Sequence, residues 1–192
     1  MAGKKTNLGG LNILLGVSGG IAAYKAVDLA GKLTAAGVKV NTVMTANACR
    51  FVGTKSFEAV TGSAVFTSLW TGPQDYKISH VDLTGWADII VVAPATANLI
   101  GKIANGICDD LLSTILCACW QKPVLLAAAM NDKMWNNPSV QRNVKSIEDT
   151  GFELIGPEKG RLACGREGIG RMSEPQDILE RIKKIAAKIK SI

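Results

Sequence analysis

Histidine is almost missing from this chain: His80 is the only one in 192 residues. Cysteine is sparse as well, and none of the five forms a C-x-x-C pair. Cys117 and Cys119 by themselves make a poor metal site, so no metal centre is expected. An odd set of five thiols without paired spacing reads as reduced cysteines in a cytoplasmic protein. Aromatics make up 5% of the chain. None interrupts the basic stretches at the two ends, GKK and ERIKKIAAKIKSI, which therefore read as solvated faces and not as a nucleic-acid surface. Long hydrophobic runs are absent too. LNILLGV falls far short of the ~20 residues that span a bilayer, and no small-residue cleavage site follows it, so neither a membrane span nor a targeting segment is expected. No repeat, low-complexity tract or linker interrupts the chain. One nucleotide signature is missing: GVSGG is not G-x-G-x-x-G, and no acidic residue stands directly after the second apolar run to hold a ribose. A dinucleotide is disfavoured.

What remains is a chain of ordinary apolar content, 47%, with 20 glycines and a formal charge of +6. The length suits one α/β domain over residues 1–192, and the positive excess suits an anionic ligand. Residues 11–17 read as a buried strand ending on Ser-Gly-Gly. Residues 21–36 have helical spacing and stop at Gly37, and residues 38–44 form a second strand, completing a βαβ unit. Residues 46–70 read as short helices with a turn at Thr61-Gly62. Further strands are expected at 88–94, 123–130 and 152–156, with helices over 98–120 and 138–150. Residues 160–172 read as a glycine-rich loop. Ser173 then caps a last helix with Pro175 in its first turn. The expected architecture is a three-layer α/β sandwich, Rossmann-like or flavodoxin-like, with a parallel sheet.

In such a sheet, ligands sit beyond the carboxyl ends of the strands. Those ends are VSGG, MTANA, APATAN and AAMNDKMW, all small or polar. The Ser-Gly-Gly corner offers backbone N–H groups to a phosphate, or is a tight turn and nothing more. Ser79 and Asp82 fit a capping box that puts His80 at the first position of a short helix ending at Trp86. There the helix dipole disfavours imidazolium, and a neutral imidazole is a proton acceptor; alternatively it is a surface histidine with no task. Asn131 either caps a helix or presents its amide to a carboxylate. Met130, Met134 and Trp135 read as packing. Cys164 lies among Arg161, Arg166 and Arg171, which favour a thiolate, in a segment able to close over a ligand. Cys49, Cys108, Cys117 and Cys119 read as core thiols.

Taken in order, SGGIAAYK, His80, APATANLIGKIANGICDDLL, AMNDKMW and LACGREGIGRM resemble the homo-oligomeric flavin-containing cysteine decarboxylases, on the branch that serves coenzyme A biosynthesis. The likeness runs from about residue 11 to 180. It implies FMN as cofactor, lined by Ser18, Gly19, Gly20, Ile21, Thr45, Asn47, Thr96, Ala97, Asn98, Leu99 and Ala129. It implies assembly as trimers or as a dodecamer, with the flavin near a trimer interface. The implied reaction converts 4′-phosphopantothenoylcysteine to 4′-phosphopantetheine. The cysteinyl end is oxidised to a thioaldehyde, CO₂ leaves as from a β-keto acid, and the enethiolate is reduced again. His80 matches the base, Asn131 the residue that binds the substrate carboxylate, and Cys164 the proton donor, with Ala163 beside it at the substrate. Lys102, Arg142 and Arg161 are candidates for the substrate phosphate. Relatives often carry a ligase domain, a possible partner activity. The chain departs from the family pattern at Ala128, where proline usually precedes A-M-N, which leaves the turn at Asn131 less pre-organised. Alternatives are a decarboxylase of a peptide C-terminal cysteine, as in lantibiotic maturation, a flavin prenyltransferase, or a non-catalytic FMN-binding regulatory subunit. The chain lacks the long acidic tail common in the last of these.

Overall fold

The computed structural model describes residues 8–70, 80–163 and 165–189. Apolar runs with β-branched residues become strands, and the amphipathic stretches between them become crossover helices. β1 (Asn12–Val17), α1 (Ala23–Ala35) and β2 (Lys39–Met44) form the βαβ unit, with β1 and β2 parallel and in register from Asn12↔Lys39 to Val17↔Met44. Gly37, at φ 82°, ends the first crossover helix in the left-handed conformation that a residue without Cβ adopts freely. The elements that follow are α2 (Thr54–Thr61), β3 (Val65–Phe66), α3 (His80–Trp86), β4 (Ile89–Ala95), α4 (Ala97–Ala104), α5 (Leu111–Ala118) and β5 (Val124–Ala128). After these come α6 (Asp132–Trp135), α7 (Pro138–Asp149), β6 (Glu153–Ile155), β7 (Glu158–Arg161), β8 (Glu167–Arg171) and α8 (Pro175–Ile189).

Six strands form one sheet in the order β3-β2-β1-β4-β5-β6, and every pairing in it is parallel. The order reverses direction at β1/β4, the place where an open α/β sheet opens a crevice. The two faces are covered separately. Ile13, Leu15, Val17, Val91, Ala93, Leu125 and Ala127 face α1 and α8, meeting Leu29, Leu33, Ile178 and Ile182. The alternate residues Leu14, Ile90, Val92, Leu126 and Ala128 face the other layer, with Leu83, Leu99, Ile115, Val144 and Ile147. That period of two, with both faces buried, explains why β4 is apolar at every position and buried throughout.

The structure corrects several expectations. Residues 46–70 hold a 3-10 turn at Ala48–Arg50 and one helix, and then β3, which pairs Val65 with Thr42. Two residues are too short a run to announce a strand. The helical stretch 98–120 is two helices. Gly106 turns the chain at φ 64°, and Asp110 starts α5 with a capping box to Ser113. Residues 160–172 are not a loop: most of them belong to the antiparallel pair β7–β8. Its strands are polar and glycine-rich, so no apolar alternation marks them. Ser173 does not cap α8. It is buried and its Oγ donates to Glu158 Oε1 at 2.8 Å, while the Glu174 carbonyl accepts the first helical N–H, from Ile178. Pro175 does sit at the first helical position. Of the four cysteines expected in the core, Cys119 is buried, whereas Cys49, Cys108 and Cys117 are exposed. No helix among the described residues is long and apolar enough to cross a membrane.

Candidate active site

The carboxyl ends of β1, β2, β4 and β5 are tied into one ledge. Ser18, buried directly after β1, donates its backbone N–H and its hydroxyl to the Pro94 carbonyl, at 3.4 and 2.8 Å. Its Oγ lies 3.0 Å from Thr96 Oγ1 and accepts the Thr96 N–H at 3.1 Å. The β1 and β4 corners are thereby locked together across the switch point. Thr45 N–H donates to Val17 O at 3.0 Å, and Thr45 in turn holds the Ala48 N–H through its carbonyl, 2.9 Å, and its hydroxyl, 3.2 Å. Ala129 N–H donates to Ala95 O at 3.0 Å.

Glycine is required where these corners meet. A Cβ on Gly19 would run into the Asn47 side chain and lie 2.8 Å from its carbonyl carbon; one on Gly20 would lie 3.3 Å from Thr96 Cγ2. Side chains at these positions would fill the ledge. Their absence leaves backbone amides at its surface, which suits a flat or phosphorylated ligand. Thr96 precedes α4, so Ala97, Asn98 and Leu99 form the first turn of that helix. Ile21 and Tyr24, at the start of α1, are 61% and 60% exposed, and Phe51 beside the 3-10 turn is 51% exposed. The ledge is thus rimmed by large apolar groups that this chain leaves uncovered.

His80 opens α3 and is half-buried; its backbone carbonyl accepts the Thr84 hydroxyl at 2.6 Å. The far end of α3 lies at the amino ends of the strands, since Asn12 Nδ2 donates to Trp86 O at 3.1 Å. The His80 end therefore points toward the carboxyl ends, where the ledge is. Ser79, the suggested cap, lies outside the described residues. Asn131 caps α6: Oδ1 accepts the Lys133 N–H at 3.0 Å and its carbonyl accepts the Trp135 N–H at 2.9 Å. The cap uses the oxygen end of the amide, and the NH₂ end carries the hydrogens a carboxylate would accept. Met130 and Trp135 pack on the apolar cluster beneath, as expected; Met134 is exposed.

The β7–β8 hairpin docks on this same corner. Met130 N–H donates to Gly170 O at 3.0 Å. A Cβ on Gly170 would strike the Met130 carbonyl, and one on Gly168 would sit 2.8 Å from Asp132 Cβ. Asp132 also pairs with Arg166 at 3.3 Å. At the tip, Leu162 N–H donates to Arg166 O at 2.8 Å and Gly165 N–H to Leu162 O at 2.9 Å, with Gly165 at φ 85°. Ala163 is exposed in that turn; Cys164, the residue assigned as proton donor, lies outside the described residues. At the base, Glu174 joins Lys25 of α1 at 2.8 Å to Arg171 of β8 at 3.5 Å. Sequence reasoning missed Asp132, Glu174 and Lys25 as holders of this hairpin. The only available signal was their adjacency to AMN, RM and SGGIAAYK.

The phosphate candidates fare differently. Lys102 is engaged by Asp109 at 2.6 Å and Asp110 at 2.7 Å. Burial alone would lower its pKa, but the hydrogen bonds and charges of the two aspartates outweigh that and raise it. It serves the α4–α5 junction. Arg142 donates to Ser139 Oγ at 2.9 Å on α7, and Arg161 is exposed on β7.

A parallel sheet with a glycine ledge at its switch point, a histidine-bearing helix end and a hairpin docked across the β5 corner defines a Rossmann-like or flavodoxin-like α/β protein. The chain belongs to the Flavoprotein family, whose model matches residues 1–187. It is 48% identical over 173 residues to the coenzyme A biosynthesis bifunctional protein CoaBC of Bacillus subtilis (strain 168), across 90% of this chain and 42% of that protein. It thus spans less than half the length of the curated relatives it matches. Among solved structures it is similar to a cysteine-to-serine variant of PPC decarboxylase complexed with pantothenoylaminoethenethiol. That likeness has a TM-score of 0.81 and 36% identity, and covers 91% of this chain and 97% of the other. It is also similar to the FMN-dependent cysteine decarboxylase SpaF, with a TM-score of 0.77 and 34% identity over 94% and 99% of the two chains.

Proposed function

We propose that this chain is the FMN-dependent decarboxylase of 4′-phosphopantothenoylcysteine, forming 4′-phosphopantetheine in coenzyme A biosynthesis. The observation that carries the reading is the hairpin docked beside Asn131, in a chain that covers 97% of a PPC decarboxylase with its ligand. The ledge fits a flavin because Gly19 and Gly20 leave room where a Cβ would block it. FMN would be held by Ser18, Gly19, Gly20 and Ile21, by Thr45 and Asn47, by Thr96, Ala97, Asn98 and Leu99, and by Ala129. Bound there, FMN supplies reversible two-electron oxidation of the cysteinyl end. His80 accepts the proton released in the first half-reaction. The Asn131 amide donates to the substrate carboxylate and orients it for loss as CO₂. Cys164, next in sequence to the exposed Ala163, returns a proton in the last step. The 1–192 stretch acts as one flavoprotein unit in the cytoplasm. The uncovered Ile21, Tyr24 and Phe51 support a second copy closing the ledge, in a trimer or a dodecamer. A ligase activity that makes the cysteinyl substrate is the expected partner.

A second reading, decarboxylation of a peptide C-terminal cysteine, is favoured by one observation. Lys102, a candidate for the substrate phosphate, is already held by two aspartates. The test is His80→Asn in the flavin-loaded protein. Loss of about 10²–10⁴-fold in turnover of phosphopantothenoylcysteine with flavin retained is expected, the range for a general base. Undiminished turnover would remove His80 from the chemistry. Turnover by the wild type of a peptide ending in cysteine, and none of phosphopantothenoylcysteine, would overturn the choice of substrate.

A further inference from the structure

Outside the residues that build the ledge, two exposed thiols are neighbours on the surface. The segment joining α4 to α5 is fixed along its length. Gly106 turns it at φ 64°, Lys102 reaches back from α4 to Asp109 and Asp110, and Asp110 caps α5. The Thr114 hydroxyl of α5 donates to the Asp110 carbonyl at 2.8 Å and lies 3.3 Å from the Cys108 carbonyl, which sets residue 108 beside the flank of α5. Cys117 is three residues beyond Thr114 and so on the same flank, one turn on. The Cys108 thiol donates to the Gly106 carbonyl at 3.5 Å, and the Cys117 thiol is close enough to influence its ionisation. Both are exposed free thiols. The other described cysteines differ: Cys49 stands in the turn after β2, and Cys119 is buried, its thiol pushed up to about 12 by burial.

We infer that Cys108 and Cys117 form a thiol-pair modification site, closed to an intramolecular disulfide by a low-molecular-weight disulfide such as oxidised glutathione. One thiolate attacks the oxidant, forming a mixed disulfide and releasing one glutathione thiol. The neighbouring thiolate displaces the second, so the protein gains one S–S bond and loses two hydrogens while the oxidant is reduced to two thiols. The second displacement is intramolecular between neighbouring groups, so the mixed disulfide does not accumulate. Burial, the neighbouring thiol and the charges of Asp109 and Asp110 raise the pKa of Cys108. Closure should therefore quicken with alkalinity, about tenfold per pH unit below that pKa, because the thiolate is the reacting form.

The test treats the reduced, flavin-loaded protein with oxidised glutathione, quenches by alkylation, and reads intact mass and the peptide spanning residues 103–122. The wild type and Cys119→Ser should each give a species lighter by two hydrogen atoms with Cys108 joined to Cys117, the flavin bands unchanged. Cys117→Ser should instead hold a glutathione adduct on Cys108, at least about tenfold more abundant than any adduct on Cys108 or Cys117 in the wild type. Stable adducts on both Cys108 and Cys117 in the wild type, or a disulfide to Cys108 that persists in Cys117→Ser, would overturn the assignment.

Discussion

The ledge and the hairpin cover the same site but are built by opposite means. The ledge is the end of a buried parallel sheet. Its corners are fixed by backbone hydrogen bonds, by Ser18 in a fully covered position, and by apolar layers on both faces. The hairpin has almost no apolar face. Its strands are mostly exposed, and its position depends on two glycines that approach the Met130–Asp132 backbone and on ion pairs at Asp132 and Glu174. Burial of the first kind makes a rigid platform for a cofactor. Attachments of the second kind are individually weak, so this element opens at lower cost than the sheet it docks on.

The sharpest way to break this contrast is at Gly19. In Gly19→Val the new side chain meets Asn47 within the ledge. A cost of about 1–3 kcal/mol and a Tm drop of about 3–10 °C are expected, with flavin lost on gel filtration. Retained flavin would show that the ledge yields more than its packing implies. Gly170→Ala should do the reverse. Its Cβ strikes the Met130 carbonyl, so the hairpin lifts. Turnover should fall by about tenfold or more, equivalent to ~1.4 kcal/mol, with flavin bands and Tm unchanged. A parallel loss of flavin would mean the two regions are one unit.

Asp132→Ala sharpens the comparison further. A half-exposed ion pair is worth about 0–1 kcal/mol, so amide exchange over Leu162–Arg166 should quicken by about two- to fivefold, with little change in β1 or β4. No change there would assign the docking to the glycines alone. The smallest effect concerns acid. The hydrogen bond from Lys102 holds the Asp109 carboxyl below the usual aspartate range. A depressed carboxylate contributes stability that is present above its unfolded pKa, about 4, and is lost as pH falls through the lower folded value. The Tm of Asp109→Asn should accordingly depend less on pH below about 4 than that of the wild type. Identical acid profiles would discount the pair.

The same contrast explains what could be read without a structure. β1, β2, β4 and β5 are continuous apolar runs flanked by helical periodicity, so they, their crossover helices and the polar corners after them were legible. The hairpin was not. GRLACGREGIGRM has no alternation, and only its tertiary partners, Met130 and Asp132, explain its glycines. β3 was hidden because two residues carry no period, and the α4–α5 break because Gly106 and Asp110 lie within one helical-looking stretch. At the site, Asn131 as a helix cap followed from local chemistry, whereas the loss of Lys102 to Asp109 and Asp110 could not be seen in spacing alone. The exposure of Cys49, Cys108 and Cys117 was also misread, since an apolar neighbourhood in sequence does not say which side of a helix faces water.

The most direct measurement is the visible absorption spectrum of the purified protein, followed by addition of phosphopantothenoylcysteine with the product mass recorded. Oxidised-flavin bands and a product lighter by one CO₂ are predicted. A protein that stays colourless after incubation with FMN, or a coloured one that leaves the substrate mass unchanged, would contradict the account.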